Sequence, residues 1–144
     1  MPYDLERFLE EQQDVYDDVL DELRRGRKTG HWIWFIFPQI AGLGYSFMSQ
    51  RFAISSLDEA RDYLAHPVLG SRLRECARTV LETNDRTAEE IFGPIDALKL
   101  RSCMTLFHRA APGETVFVQV LDRYYGGVTD WATDARLGLD PTAS

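Results

Sequence analysis

Apolar residues recur three to four positions apart over most of the chain, a spacing that predicts helices. Leu5, Phe8, Leu9, Val15, Tyr16, Val19, Leu20 and Leu23 form one stripe. Residues 4–25 therefore read as one long amphipathic helix, capped by Asp4 and stopped by Gly26. Gln12 interrupts the stripe one turn from both Phe8 and Tyr16. A buried amide left unbonded costs ~1–3 kcal/mol, so Gln12 either locks a neighbouring loop or faces a polar pocket.

The pattern changes between Thr29 and Ser56. This segment holds one charge, Arg51, and a dense set of aromatics: Trp32, Trp34, Phe35, Phe37, Tyr45, Phe47 and Phe52. The run HWIWFIFP fits a buried strand or a short buried helix, and periodicity does not choose between them. Pro38 ends the run, Gly42 and Gly44 make a loop, and Ser46 to Phe52 suits a short helix. Helical signals then return in series. Ser56-Leu57-Asp58-Glu59 and Thr87-Ala88-Glu89-Glu90 read as capping boxes. Pro67 and Pro94 stand where helices begin, and Pro112-Gly113 and Gly126-Gly127 stand where they stop. Asp130 caps a last short helix. The expected fold is all-α: a single multi-helical domain of about six to eight helices, several of them short. It spans residues 1–138, with 139–144 as a loose C-terminal tail.

Charge modifies this picture in two places. The net charge is −7, from 16 basic and 23 acidic residues, which disfavours general nucleic-acid binding. Most of that charge lies in the first helix. Just after it, Arg24, Arg25, Arg27 and Lys28 form a local basic cluster beside the neutral aromatic segment, a place that attracts a small anion or nucleotide-like ligand. The hydrophobic fraction of 44% excludes global disorder. No signal peptide or membrane-length apolar run is visible, so a cytoplasmic protein without membrane partners is expected. Oligomeric state is not readable.

Candidate chemistry centres on few residues. Only two lysines, Lys28 and Lys99, stand against 14 arginines. Arginine replaces lysine wherever only charge is needed, so a retained lysine marks a position to test. His31 is a candidate acid or base, because imidazole is the side chain most used for proton transfer. Lys99 and Ser102 lie one turn apart and make a possible pocket wall. The three histidines are scattered and neither cysteine has ligand spacing, so no metal is expected, and no phosphate or dinucleotide fingerprint implies a cofactor. Cys76 and Cys103 lie on apolar stripes and read as buried, inert thiols.

Five runs carry a family resemblance: RFLEEQ, GRKTGHWIWFIFPQIAGLGYS, SSLDEARDYLAHPVLGSRL, IFGPIDALKLRSCMTLF and LDRYYGGVTDWAT. Together they resemble an uncharacterised bacterial domain-of-unknown-function family sometimes labelled calpastatin, over about residues 4–136. The resemblance implies a helical fold. The family pattern includes Gln12, Lys28, His31, Trp32, Trp34, Pro38, Gln39, Gly42, Gly44, Ser46, Lys99, Ser102, Thr105 and Phe107. Cys103 departs from it, where the family more often has serine. The chain is also distantly similar to a superfamily associated with NAD and ADP-ribose whose members cleave N-glycosidic bonds.

The leading expectation is a site for a nucleotide- or ADP-ribose-like small molecule, with Gln12, Lys28, Trp34, Gln39, Ser46, Lys99 and Ser102 as ligand-binding residues. If the site also hydrolyses an N-glycosidic bond, His31 and Asp96 are its catalytic candidates, with Asp130 a further carboxylate. The alternative is a non-enzymatic interaction module that uses the aromatic 31–47 segment. The simplest expectation makes HWIWFIFP a core element and the polar residues its hydrogen-bond partners. The position of the two lysine ammonium groups separates these readings.

Overall fold

Where the sequence suggests one long N-terminal helix, the chain forms two. The structure, a computed structural model, describes residues 3–139. Helix α1 spans Glu6–Gln12 and α2 spans Tyr16–Arg24. Neither has a side-chain N-cap, and the Asp4 carbonyl instead accepts a bond from Arg7. Two packing surfaces explain the break. Helix α1 lies on α3 (Ile33–Ile36) and α2 lies on α6 (Leu69–Glu82), and one straight stripe cannot face both.

The aromatic run resolves as helix: α3 is a single buried turn. Trp32, Phe35 and Phe37 are buried, whereas Trp34 is half-buried. Phe8, Phe35, Phe52 and Tyr63 form an aromatic cluster, with Phe8 edge-on to Tyr63 at 5.1 Å between centroids. After the loop comes α4 (Phe47–Arg51), capped by the Ser46 hydroxyl, which accepts from the Ser49 N–H. The loop ends are tied together: Ala41 N–H donates to the Ile54 carbonyl and Ile54 N–H to the Gln39 carbonyl, both at 2.8 Å.

The remaining helices are α5 (Leu57–Ala65), α7 (Ala88–Phe92), α8 (Pro94–Ala110), α9 (Thr115–Tyr125) and α10 (Trp131–Arg136). The described residues thus form ten helices around one core, more than the six to eight expected, because the first helix divides and α3 is helical. The Thr87 capping box is complete. At Ser56 only half of one forms, because the Glu59 carboxylate turns to the Ser55 N–H at 2.7 Å and to Arg7 at 3.1 Å.

Helix α8 is the axle of the fold. It packs on α3, α5, α7, α9 and α10, and buries Leu100, Cys103, Met104, Leu106 and Phe107. Its first two turns stay open to solvent at Ile95 and Leu98. Among the described residues no helix is long and apolar enough to cross a membrane. Of the expected tail, Leu139 still donates its N–H to the Asp134 carbonyl at 2.8 Å, and residues 140–144 lie outside the described residues.

Candidate functional site

The two lysines meet at one carboxylate. Asp96, in the first turn of α8, has Lys28 Nζ at 2.7 Å from one oxygen and Lys99 Nζ at 3.5 Å from the other. Each ammonium also stands over an indole: Lys28 at 4.9 Å from a Trp32 ring centroid, Lys99 at 5.4 Å from one of Trp34. The two cations differ in how far they are engaged. The Lys28 side chain is 6% exposed and bonds the Gly30 carbonyl as well as Asp96. Lys99 is 22% exposed, and its one polar contact among the described residues is the longer bond to Asp96.

Glu22 shapes the loop that delivers Lys28. One of its carboxylate oxygens accepts from the Thr29 N–H at 2.7 Å, the Gly30 N–H at 2.8 Å and the Trp32 indole N–H at 2.9 Å. Burial pushes the Glu22 carboxyl up, but these bonds outweigh it and hold the carboxyl below its ordinary value. Lys28 is fixed again by its own N–H, which donates to the Ile91 carbonyl at 2.7 Å. Gly30 is required by close approach: a Cβ there would stand 2.7 Å from the Trp32 ring.

Two adjoining clefts open around this group and share Ile95. The first, about 360 Å³, is lined by Lys28, His31, Trp34, Pro94, Ile95 and Asp96, among others. The second, about 270 Å³, has Gln39, Ser49, Lys99, Ser102 and Asp130 among apolar walls. His31 is solvent-exposed at the edge of the first.

Other expected residues lie further from these clefts or already have partners. Ser102 is buried and its hydroxyl lies 2.9 Å from an Asp130 oxygen, while Thr105 accepts the Asp130 N–H at 2.9 Å. Both therefore fasten the segment that enters α10, whose cap is Asp130 itself. Ser46 is exposed and caps α4 beside the second cleft rather than lining it. Gln12 sits beneath α3, where its amide donates to the Phe35 carbonyl at 2.7 Å and to the Tyr63 hydroxyl at 3.1 Å. Of the two possibilities for this residue, the bonds seen are those of a lock on its neighbours.

Glu22 is the residue that sequence reasoning passed over. Its signal is an acid in the last turn of a helix, where the helix dipole disfavours negative charge. The cysteines are buried, and burial pushes the Cys76 thiol up to about 12 and the Cys103 thiol well above its ordinary value.

A family model described as "Protein of unknown function (DUF1810)" matches residues 2–137. The crystal structure of the conserved hypothetical protein Rv1873 from Mycobacterium tuberculosis is similar over 97% of this chain and 100% of that one, at 52% identity and a TM-score of 0.94. No curated protein matches.

Proposed function

This chain belongs to the DUF1810 family, and we propose that its paired clefts bind a nucleotide- or ADP-ribose-like small molecule. One observation carries the reading: the only two lysines of the chain flank a single aspartate where two adjoining clefts meet, with the half-buried Trp34 in the first of them. A core-only account of the aromatic run gives no reason for this convergence.

In this reading Trp34 is the wall against which a planar ring stacks. Lys99, with donors to spare, faces the phosphate. Lys28, already bonded, holds the Asp96 carboxylate in place. Gln39 and Ser49 offer polar groups to sugar hydroxyls, with Ser46 acting through its bond to Ser49. Gln12 supports α3 from below.

The catalytic form of the reading adds one reaction, hydrolysis of an N-glycosidic bond. Water adds to the anomeric carbon as the bond to the base nitrogen breaks. Asp96 offsets the positive charge on the sugar, by analogy with the carboxylates of O-glycosidases. His31 gives a proton to the departing base, and the attacking water releases one to solvent.

Thermal denaturation with NAD, ADP-ribose and AMP tests binding, and chromatography of the mixtures tests turnover. A ligand at tenfold its Kd stabilises the folded state by ~1.4 kcal/mol, a rise of roughly 3–5 °C in Tm. Lys99→Ala should remove the rise. No shift with any of the three at millimolar concentration would refute the proposal.

A second reading, the interaction module, loses Trp32 and Phe37 to the core but keeps Tyr45 and Phe47, which are 87% and 74% exposed.

A further inference from the structure

The second cleft holds a carboxylate whose two oxygens are unequally used. Asp130 Oδ2 accepts from the Thr133 N–H at 3.1 Å and from the Thr133 hydroxyl, and the Ser102 hydroxyl lies 2.9 Å away. An ionised carboxylate offers about four acceptor sites over its two oxygens. Oδ2 is therefore filled, whereas among the described residues no donor reaches Oδ1. The backbone is fixed as well, since the Asp130 N–H donates to the Thr105 hydroxyl at 2.9 Å. Asp130 thus spends one oxygen on capping α10 and brings a second to the cleft it lines. An acceptor held this firmly loses little freedom when a ligand arrives.

The rest of the cleft limits what donates to that oxygen. A cationic ligand group would meet Lys99, which lines the same cleft, and an anionic group would meet Asp130. A divalent cation takes several oxygen ligands, and among the described residues no such group of side chains gathers. Neutral hydroxyls satisfy both charges, because each donates to a carboxylate and accepts from an ammonium. The Gln39 amide and the Ser49 hydroxyl add further polar groups, and Ser49 accepts from Ser46 and so keeps its own proton for a ligand. Leu43, Ile95, Leu98 and Ala132 supply apolar walls against the C–H face of a sugar ring. The volume of about 270 Å³ lies below the ~300–1,000 Å³ of a pocket for a whole drug-sized ligand, so the cleft suits one part of a larger molecule.

We propose that Asp130 reads the cis-diol of a ribose, and that the second cleft selects ribonucleotides over nucleotides lacking those hydroxyls. This inference rests on the nucleotide reading and adds to it a substrate class and a specificity residue. The adjacent 2′- and 3′-hydroxyls present two donors on one side of the furanose ring, and the lone pairs of Oδ1 accept from them. A fixed carboxylate serves a ribose hydroxyl in the same way in dinucleotide-binding folds of unrelated architecture.

Titration calorimetry with AMP and with 2′,3′-dideoxy-AMP tests it. The dideoxy compound leaves Oδ1 without a donor, and a hydrogen bond to a charged group is worth about ten- to a hundredfold in affinity. The wild-type chain should therefore bind AMP more tightly by about that factor. Asp130→Asn keeps the α10 cap, because asparagine caps as well as aspartate. Its single oxygen must face the Thr133 N–H, so its NH2 takes the place of Oδ1 and donates where the carboxylate accepted. The variant should lose the preference for AMP while binding the dideoxy compound as the wild type does. Asp130→Ser, which also caps, should show the same loss, so that a folding defect in one variant does not mask the result. Equal wild-type affinities for the two compounds overturn the diol assignment and leave the nucleotide reading standing, as does a preference that survives both substitutions. A parallel loss of both affinities in the variants marks a purely structural role and overturns it too. Absence of AMP binding also overturns it, and the thermal shifts with NAD and ADP-ribose then decide the nucleotide reading separately.

Discussion

Glu22→Gln tests whether one buried carboxylate holds the lysine loop. The substitution keeps shape and volume, so it opens no cavity. It removes the charge from an acceptor that serves three donors within 2.9 Å. Bonds to a charged group are worth ~1.5–3 kcal/mol against ~1 for neutral ones; the amide oxygen keeps weakened versions, and the expected net loss is about 2–3 kcal/mol. For a chain of this length that lowers Tm by roughly 6–10 °C. Urea denaturation followed by tryptophan fluorescence measures it, first at neutral pH and then at progressively lower pH. The Glu22 carboxyl in the folded chain lies below its ordinary 4.5, because the bonds from Gly30, Thr29 and Trp32 outweigh burial. The unfolded chain therefore takes up the proton first. The stabilisation is complete above 4.5 and drains away as pH falls through the lower folded value. The gap between wild type and variant should be full at neutral pH and close in acid. A variant within about 0.5 kcal/mol of wild type at neutral pH, the range of an ordinary surface change, would refute the reasoning. So would a gap that persists in acid.

Double-mutant cycles of Lys28→Met and of Lys99→Met against Asp96→Asn should separate the two ion pairs. The short, covered Lys28 pair should couple by ~1–3 kcal/mol and the longer Lys99 pair by ~0.2–1 kcal/mol, and equal couplings would contradict the geometry. Gln12→Leu should lower stability in thermal melts by ~1–3 kcal/mol, because it leaves the Phe35 carbonyl without its donor. A neutral outcome would show that the buried amide contributes nothing. Ellman's reagent should find no reactive thiol in the native chain at mildly alkaline pH and both thiols in denaturant, since burial pushes Cys76 up to about 12. Fast native labelling would contradict that burial.

Local signals proved readable and distant ones did not. The caps at Ser46, Thr87 and Asp130 involve side chains and amides within three residues, so sequence alone exposes them. The break between α1 and α2 has no glycine or proline to announce it. It exists because α3 and α6 lie on different sides, which only tertiary packing decides. Lysine scarcity pointed correctly to Lys28 and Lys99 as a pair worth locating. The sequence did not reveal Asp96 as their shared partner, because an aspartate in a first helical turn is ordinary. Lys99 and Ser102 read as a possible pocket wall and both line the second cleft, but the bond from Ser102 to Asp130, far along the chain, is not visible in the sequence.

The bonds that hold the Lys28 loop also differ in when they become available. Glu22 lies a few residues upstream of Thr29, Gly30 and Trp32, so their amide and indole bonds can form as soon as that stretch leaves the ribosome. The Ile91 carbonyl and the Asp96 carboxylate emerge only much later in synthesis. The Lys28 contacts close a long chain loop, which costs entropy, whereas the Glu22 bonds close a short one and cost less. A residue that looks like one more acid on an acidic helix thus supplies the short-range half of a site whose other half is long-range.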